Sequence, residues 1–182
     1  MSLAAAAGVA RLARFHADGL ARFDATPLGL LNALAPWLGF ALVGFLLGLM
    51  MDDLRLALTD LLASLVALLA PPVLSHLIAR AWHREAAWLR YAVAMTWCQW
   101  LMPPTLLATM LGGGVLAAAG VPGGIARLLA AGAALGYAVA LQLFLARHGL
   151  GLPAWRAAGL VVAVNLGTLV LAIGPLLAEP MT

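Results

Sequence analysis

Five stretches of this chain run without a charged residue for long enough to cross a hydrocarbon layer: residues 28–51, 61–79, 91–126, 128–146 and 157–178. A crossing of about 30 Å takes about 20 helical residues. An isolated segment in lipid must be helical, because only a helix satisfies its own backbone donors and acceptors. Residues 91–126 are too long for one span and too short for two. The runs Gly112-Gly113-Gly114 and Val121-Pro122-Gly123-Gly124 interrupt them, so the sequence predicts one span over 91–111 and then an apolar loop to Gly124.

Composition agrees. Of the 182 residues 65% are hydrophobic and 9% charged, with a mean hydropathy of +1.04. A soluble domain carries about 25% charged residues, so a chain this poor in charge has lipid as its main solvent. The length allows one domain. The predicted fold is an all-α membrane protein, a five-transmembrane-helix bundle over residues 26–182. Residues 1–25 are read as a short N-terminal interfacial amphipathic helix, with Leu3, Val9, Leu12, Phe15, Leu20 and Phe23 on its apolar side and Arg11, Arg14 and Arg22 among them. The arginines follow the first apolar run instead of preceding it, which argues against a cleaved signal peptide. A mitochondrial presequence, basic and free of acids over residues 1–17, is the second reading.

Arginine sets the orientation. With the N-terminus inside, Arg11, Arg14, Arg22, Arg80, Arg84, Arg90, Arg147 and Arg156 are inner, and only Arg55 and Arg127 are outer. An odd number of spans then puts the C-terminus outside. Ten arginines and no lysine, amid abundant Ala, Gly and Leu, hint at a GC-rich bacterial genome, hence a bacterial inner membrane with a cytoplasmic N-terminus and a periplasmic C-terminus. The scattered arginines are no nucleic-acid footprint. The first loop, residues 52–60, holds Asp52, Asp53 and Asp60, with Thr59 or Asp60 expected to cap the second span. The second loop, residues 80–90, carries Trp82 and Trp88 at headgroup level.

Three segments carry a family resemblance: FDATPLGLLNALAP at 23–36, AAWLRYAVAMTWCQW at 86–100, and LARHGLGLPAWRAAGLVVAVNLGTLVLA at 145–172. Together they resemble small bacterial, especially alphaproteobacterial, Yip1-like multi-pass membrane proteins. The resemblance implies five spans with an inner N-terminus. Eukaryotic relatives act in vesicle traffic and associate with small GTPases and with one another. The Tyr-Asn-Trp expected of bacterial relatives reads Met95-Thr96-Trp97 here.

The chemistry-bearing residues are few. TWCQWLMPP, residues 96–104, holds the lone cysteine, Cys98, and the amide of Gln99. Helical spacing puts Thr96, Gln99 and Trp100 on one side, with Gln99 about nine residues from the inner boundary. Asn165 lies at a similar depth in span five and Gln142 in span four, so Thr96, Gln99, Gln142 and Asn165 form the candidate intramembrane polar site. Its members serve either as interhelical glue or as a ligand pocket. Pro71-Pro72 and Pro103-Pro104 are predicted helix breaks near the midplane, which either shape the bundle or expose carbonyls to a substrate. Gly44/Gly48 and Gly132/Gly136 have GxxxG spacing. Arg84, Arg90, Arg147 and Arg156 are candidate inner-face contacts for anionic lipid headgroups.

Catalysis has no competent set. Ser2, Ser64 and Ser75 are the only serines, Gly-x-Ser-x-Gly is absent, and no pair of aspartates lies within the spans. His76 with His148 is the one conceivable bis-His haem pair, and His148 stands beyond Arg147 at a helix end. No cofactor or metal site is expected. The expected function is a non-enzymatic scaffold or accessory subunit of a membrane complex, in homo- or hetero-oligomeric association. The alternative is a small oligomeric transporter or channel-like protein with a polar site between spans two, three and five.

Overall fold

The computed structural model describes residues 3–51 and 53–177, with side chains as far as Ala172. Ser2, Asp52 and the residues from Ala178 onward lie outside the described residues, and with them part of the acidic rim and the end of span five. The regular elements are all helical: α1 (Leu3–Leu12), α2 (Pro27–Leu49), α3 (Leu54–Ala81), α4 (Glu85–Cys98), α5 (Met102–Ala118), α6 (Gly123–Leu150) and α7 (Ala154–Leu177). Two 3-10 turns, Ala17–Arg22 and Gln99–Leu101, complete the order. The second joins α4 to α5 so that Glu85–Ala118 forms one span, and five helices are then long and apolar enough to cross a membrane. The all-α, five-span fold is the one the uncharged runs predict.

The helices extend past those runs, because caps end them rather than charges. α2 starts where the Thr26 hydroxyl oxygen accepts from the Gly29 N–H at 3.0 Å, with Pro27 in the first turn. α3 starts at Asp53, whose carboxylate accepts from the Leu56 N–H at 2.9 Å. The expected cap at Thr59 or Asp60 is therefore corrected: Thr59 sits inside the helix and donates to the Arg55 carbonyl at 2.9 Å. The second loop shrinks to the turn between Ala81 and Glu85, and spans four and five start at Gly123 and Ala154 rather than at 128 and 157.

The glycine run does not break the third span. α5 continues through Gly112–Gly114 to Ala118, and the connection to α6 is only residues 119–122. Gly113 is buried against α6, where an added Cβ would sit 3.1 Å from the Ala130 Cβ and 3.3 Å from the Ala126 carbonyl. Glycine here permits close helix approach, its usual use in membranes. The proline expectation is half corrected. α3 is one helix through Pro71 and Pro72, whereas Pro103 and Pro104 occupy the first turn of α5, directly after the 3-10 turn that interrupts the α-helix.

The short N-terminal helix is α1, which ends at Leu12, and the segment up to residue 22 continues as a 3-10 turn. After α1 the chain turns at Phe15, which takes a left-handed φ of +59°, and the 3-10 turn folds back on α1. A Cβ on Gly19 would meet the Gly8 carbonyl at 2.9 Å. Val9, Leu12, Leu20 and Phe23 are buried in the same cluster as Tyr91 and Trp97 of α4 and Leu145 of α6. The Phe15 ring stands edge-on to Tyr137 and Phe144, and the Tyr137 hydroxyl donates to the Ala13 carbonyl at 3.0 Å. An apolar stripe shows that a helix face is covered, but the same stripe serves lipid or protein. Here protein covers Val9, Leu12, Leu20 and Phe23, while Leu3 and Phe15 stay exposed.

Burial is uneven. α4 is the central element: Tyr91–Ala94 and Thr96–Cys98 are all buried. The main cluster gathers α1 and the first 3-10 turn with α4, the second half of α6 and the first half of α7. Toward the other end large apolar side chains face outward, among them Leu46 and Leu47 of α2, Leu107 and Met110 of α5, Leu128 and Leu135 of α6, and Leu169 and Val170 of α7. Such a band belongs against lipid.

Candidate functional site

The polar residues singled out in the spans do not converge on one point. Thr96, 3% exposed, donates its hydroxyl back to the Ala92 carbonyl at 2.9 Å. Asn165 Nδ2 donates to Gln142 Oε1 at 2.6 Å and to the Val161 carbonyl at 2.7 Å. Depth alone allows Asn165 to reach either Gln99 or Gln142, and the structure pairs it with Gln142. Depth along a helix is readable from sequence, but the rotation that points a side chain at its neighbour is fixed by packing, and α7 turns Asn165 toward α6. Breaking that bond with Asn165→Leu should cost about 0.6–2 kcal/mol in detergent unfolding, whereas Gln99→Leu should cost nothing measurable.

Gln99 itself is half-buried and its side-chain amide has no hydrogen bond among the described residues. It lines three separate spaces. One of about 50 Å³ lies between α4 and α6 and includes Cys98 and Gln142. A void of about 10 Å³ touches Pro71, Pro72, Ser75 and Thr96; it is no larger than a single water demands. The third, about 520 Å³, lies between α2, α3 and the α4–α5 break and is lined by Trp37, Phe40, Ser64, Ala67, Leu68 and Met102. So Gln99 does come near Gln142, Thr96 and the first proline pair, in three compartments rather than in one hydrated site.

The structure adds Trp37 and Phe40, and gives Trp100 and Trp88 new neighbours. The Trp37 and Trp100 rings lie 4.9 Å apart between centroids, with Phe40 5.8 Å from Trp100, beside the helix break. Both indole Nε1–H groups are buried without a partner. Trp88 Nε1 donates to Ser75 Oγ at 3.1 Å, and Ser75 donates to the Pro72 carbonyl at 3.0 Å, so a chain of bonds ties α4 to α3 at the proline pair. Its place near a loop predicts Trp88 at headgroup level, whereas its indole points into the helix interface. A serine in the facing span was the available signal for an inward indole. Cys98 is a free, buried thiol; it should resist maleimide in the folded protein and react once denatured.

At the other candidate, Arg156 stands between two indoles, its Cζ 4.9 Å from the Trp155 ring centroid and 5.7 Å from that of Trp82. Stacking of this kind holds a guanidinium in a fixed direction. Arg84 reaches the Gly151 turn, its Nη1 3.7 Å from where a Cβ would stand. Arg90 and Arg147 are exposed. None of the four pairs with a carboxylate among the described residues; the nearby ion pair is Arg80 with Glu85 at 3.7 Å. His148 spends its Nδ1 on the Phe144 carbonyl at 2.9 Å. Among the described residues no group of three or more His, Cys, Asp or Glu side chains could hold a metal ion. No family model, curated protein or solved structure matches this chain.

Proposed function

We propose that this multi-pass membrane protein is a non-enzymatic scaffold or accessory subunit of a membrane complex, of Yip1-like type, in a bacterial inner membrane with its N-terminus cytoplasmic. The observation that carries the reading is that three of the intramembrane polar side chains already have partners inside the chain: Asn165 bonds Gln142, Trp88 bonds Ser75, and Thr96 bonds its own helix. A conduction path needs such groups lined up along one hydrated route. The arginine distribution supports the orientation. Gly132 and Gly136 have open space where a Cβ would stand, so this GxxxG spacing is unused among the described residues and suits a neighbouring subunit. Arg84, Arg90, Arg147 and Arg156, free of carboxylate partners among the described residues, suit anionic headgroups.

One observation favours a small transporter as the second reading. Pro71 and Pro72 lack the N–H groups that would bond the Ala67 and Leu68 carbonyls. Those two residues line the same 520 Å³ cavity as the unpartnered Gln99 amide.

Impermeant maleimide separates the two. In a Cys98→Ala background, Gln99→Cys and Ser64→Cys should stay unlabelled in intact membranes if the chain is a scaffold. Labelling of both from an aqueous side would sink the scaffold and establish a hydrated site.

A further inference from the structure

We infer that the chain carries a binding site for an aminophospholipid headgroup, a phosphate diester bearing a primary ammonium, in the cavity between α1, the first 3-10 turn, α2 and α4. The cavity has a volume of about 530 Å³ and is lined by Arg22, Asp24, Asn32 and Trp97 over a floor of Phe23 and Val93. Its size is within the usual range for small-molecule sites. None of Arg84, Arg90, Arg147 and Arg156 lines it.

The charges are the argument. Arg22 and Asp24 are of opposite sign and line one space, yet no ion pair joins them to each other or to another side chain among the described residues. Phe23 between them has extended backbone (φ −96°, ψ 137°) and is buried, while Arg22 and Asp24 on either side of it are exposed. The Phe23 ring is anchored in the core, where a Cβ on Gly8 would meet it at 2.9 Å. The Asp24 backbone is anchored too, its carbonyl oxygen 2.3 Å from where a Cβ on Gly29 would stand. A cation and an anion, one on each side of the anchored Phe23, thus line one cavity without pairing with each other. The ligand that satisfies both carries both signs itself.

The level fits a headgroup. The cavity lies at the start of α2, whose exposed large apolar residues begin at Leu28 and Leu31. Asn32 is five residues beyond Pro27, about 7.5 Å along the helix. Phosphate oxygens accept from the Arg22 guanidinium in the forked geometry that arginine favours, and the ammonium donates to the Asp24 carboxylate. A fully methylated choline nitrogen has no N–H to donate there. A phosphatidylglycerol headgroup has no cation and meets the Asp24 charge with its own.

The test is native mass spectrometry of the full chain released from nanodiscs holding equal phosphatidylethanolamine, phosphatidylcholine and phosphatidylglycerol. Retained phosphatidylethanolamine should exceed phosphatidylcholine about fivefold, the scale of one charge-assisted contact. Asp24→Asn should erase that preference while keeping the backbone that packs on Gly29. Arg22→Gln should weaken retention of both, and Asp24→Glu should keep the preference. An unchanged lipid profile in Asp24→Asn, or a preference for phosphatidylglycerol that only Arg84→Gln removes, would overturn the site. Glycerophosphoethanolamine should compete only weakly; if it binds as tightly as the lipid, the source is a soluble amine phosphate and the lipid assignment fails.

Discussion

Gly29→Ala is expected to destabilise the protein by about 2–4 kcal/mol, from overpacking of about 1–3 kcal/mol and loss of a helix cap of about 1 kcal/mol. The added Cβ would stand 2.3 Å from the Asp24 carbonyl oxygen and 3.3 Å from the Asp24 Cβ, so the turn from Asp24 to Thr26 must move. That turn also holds the Thr26 hydroxyl on the Gly29 N–H. Thermal unfolding in detergent reads the loss. Gly44→Ala on the same helix is the control: nothing lies within 4 Å of its Cβ position, and alanine is the better helix former by about 1 kcal/mol. Equal stability of Gly29→Ala and wild type would show that the segment before α2 does not close down on it.

Leu145→Ala is expected to cost about 2–5 kcal/mol, and Leu135→Ala on the same helix close to nothing. Leu145 is 0% exposed in the cluster with Tyr91, Val93 and Leu160, whereas Leu135 is 67% exposed. Transfer from water does not separate the two, since lipid and protein interior are both dry. The difference is the cavity and the dispersion contacts that Leu145 forfeits. Unfolding by a denaturing detergent, compared at matched conditions, checks it. Equal losses would mean that the cluster is no tighter than the lipid-facing band.

The same asymmetry explains which expectations held. The span count was legible because a charge in hydrocarbon is costly and an uncharged run of this length has few other uses. The helix ends were less so: Arg55 and Asp60 lie inside α3 because a helix can outrun the apolar layer, while its first turn is set by Asp53. Gly112–Gly114 looked like a break by local propensity, but the close approach of Gly113 to Ala130 overrides it. Of the candidate polar site, each member was identifiable as an amide or hydroxyl in an apolar span. The pairing was not, because Asn165 could reach toward Gln99 or Gln142 by depth alone, and the helix phase selected Gln142. The docking of Leu12, Leu20 and Phe23 onto α4 and α6 was likewise invisible, since an interfacial helix and a docked one need the same stripe.

By itself, then, the sequence determined that the chain is helical, that it makes five spans, and where its charges gather. Backbone groups in lipid are satisfied only in helices or closed barrels, uncharged runs of this length suit helices and not the short alternating strands of a barrel, and the charges lie between those runs. Only the tertiary structure decided which side of each helix meets protein. In water an apolar face announces the core, but in a membrane both faces are apolar, so composition cannot point inward. Small side chains, caps and the few hydrogen bonds between helices make that choice, and they put the tightest packing around α4 and left Arg22 and Asp24 together at one cavity.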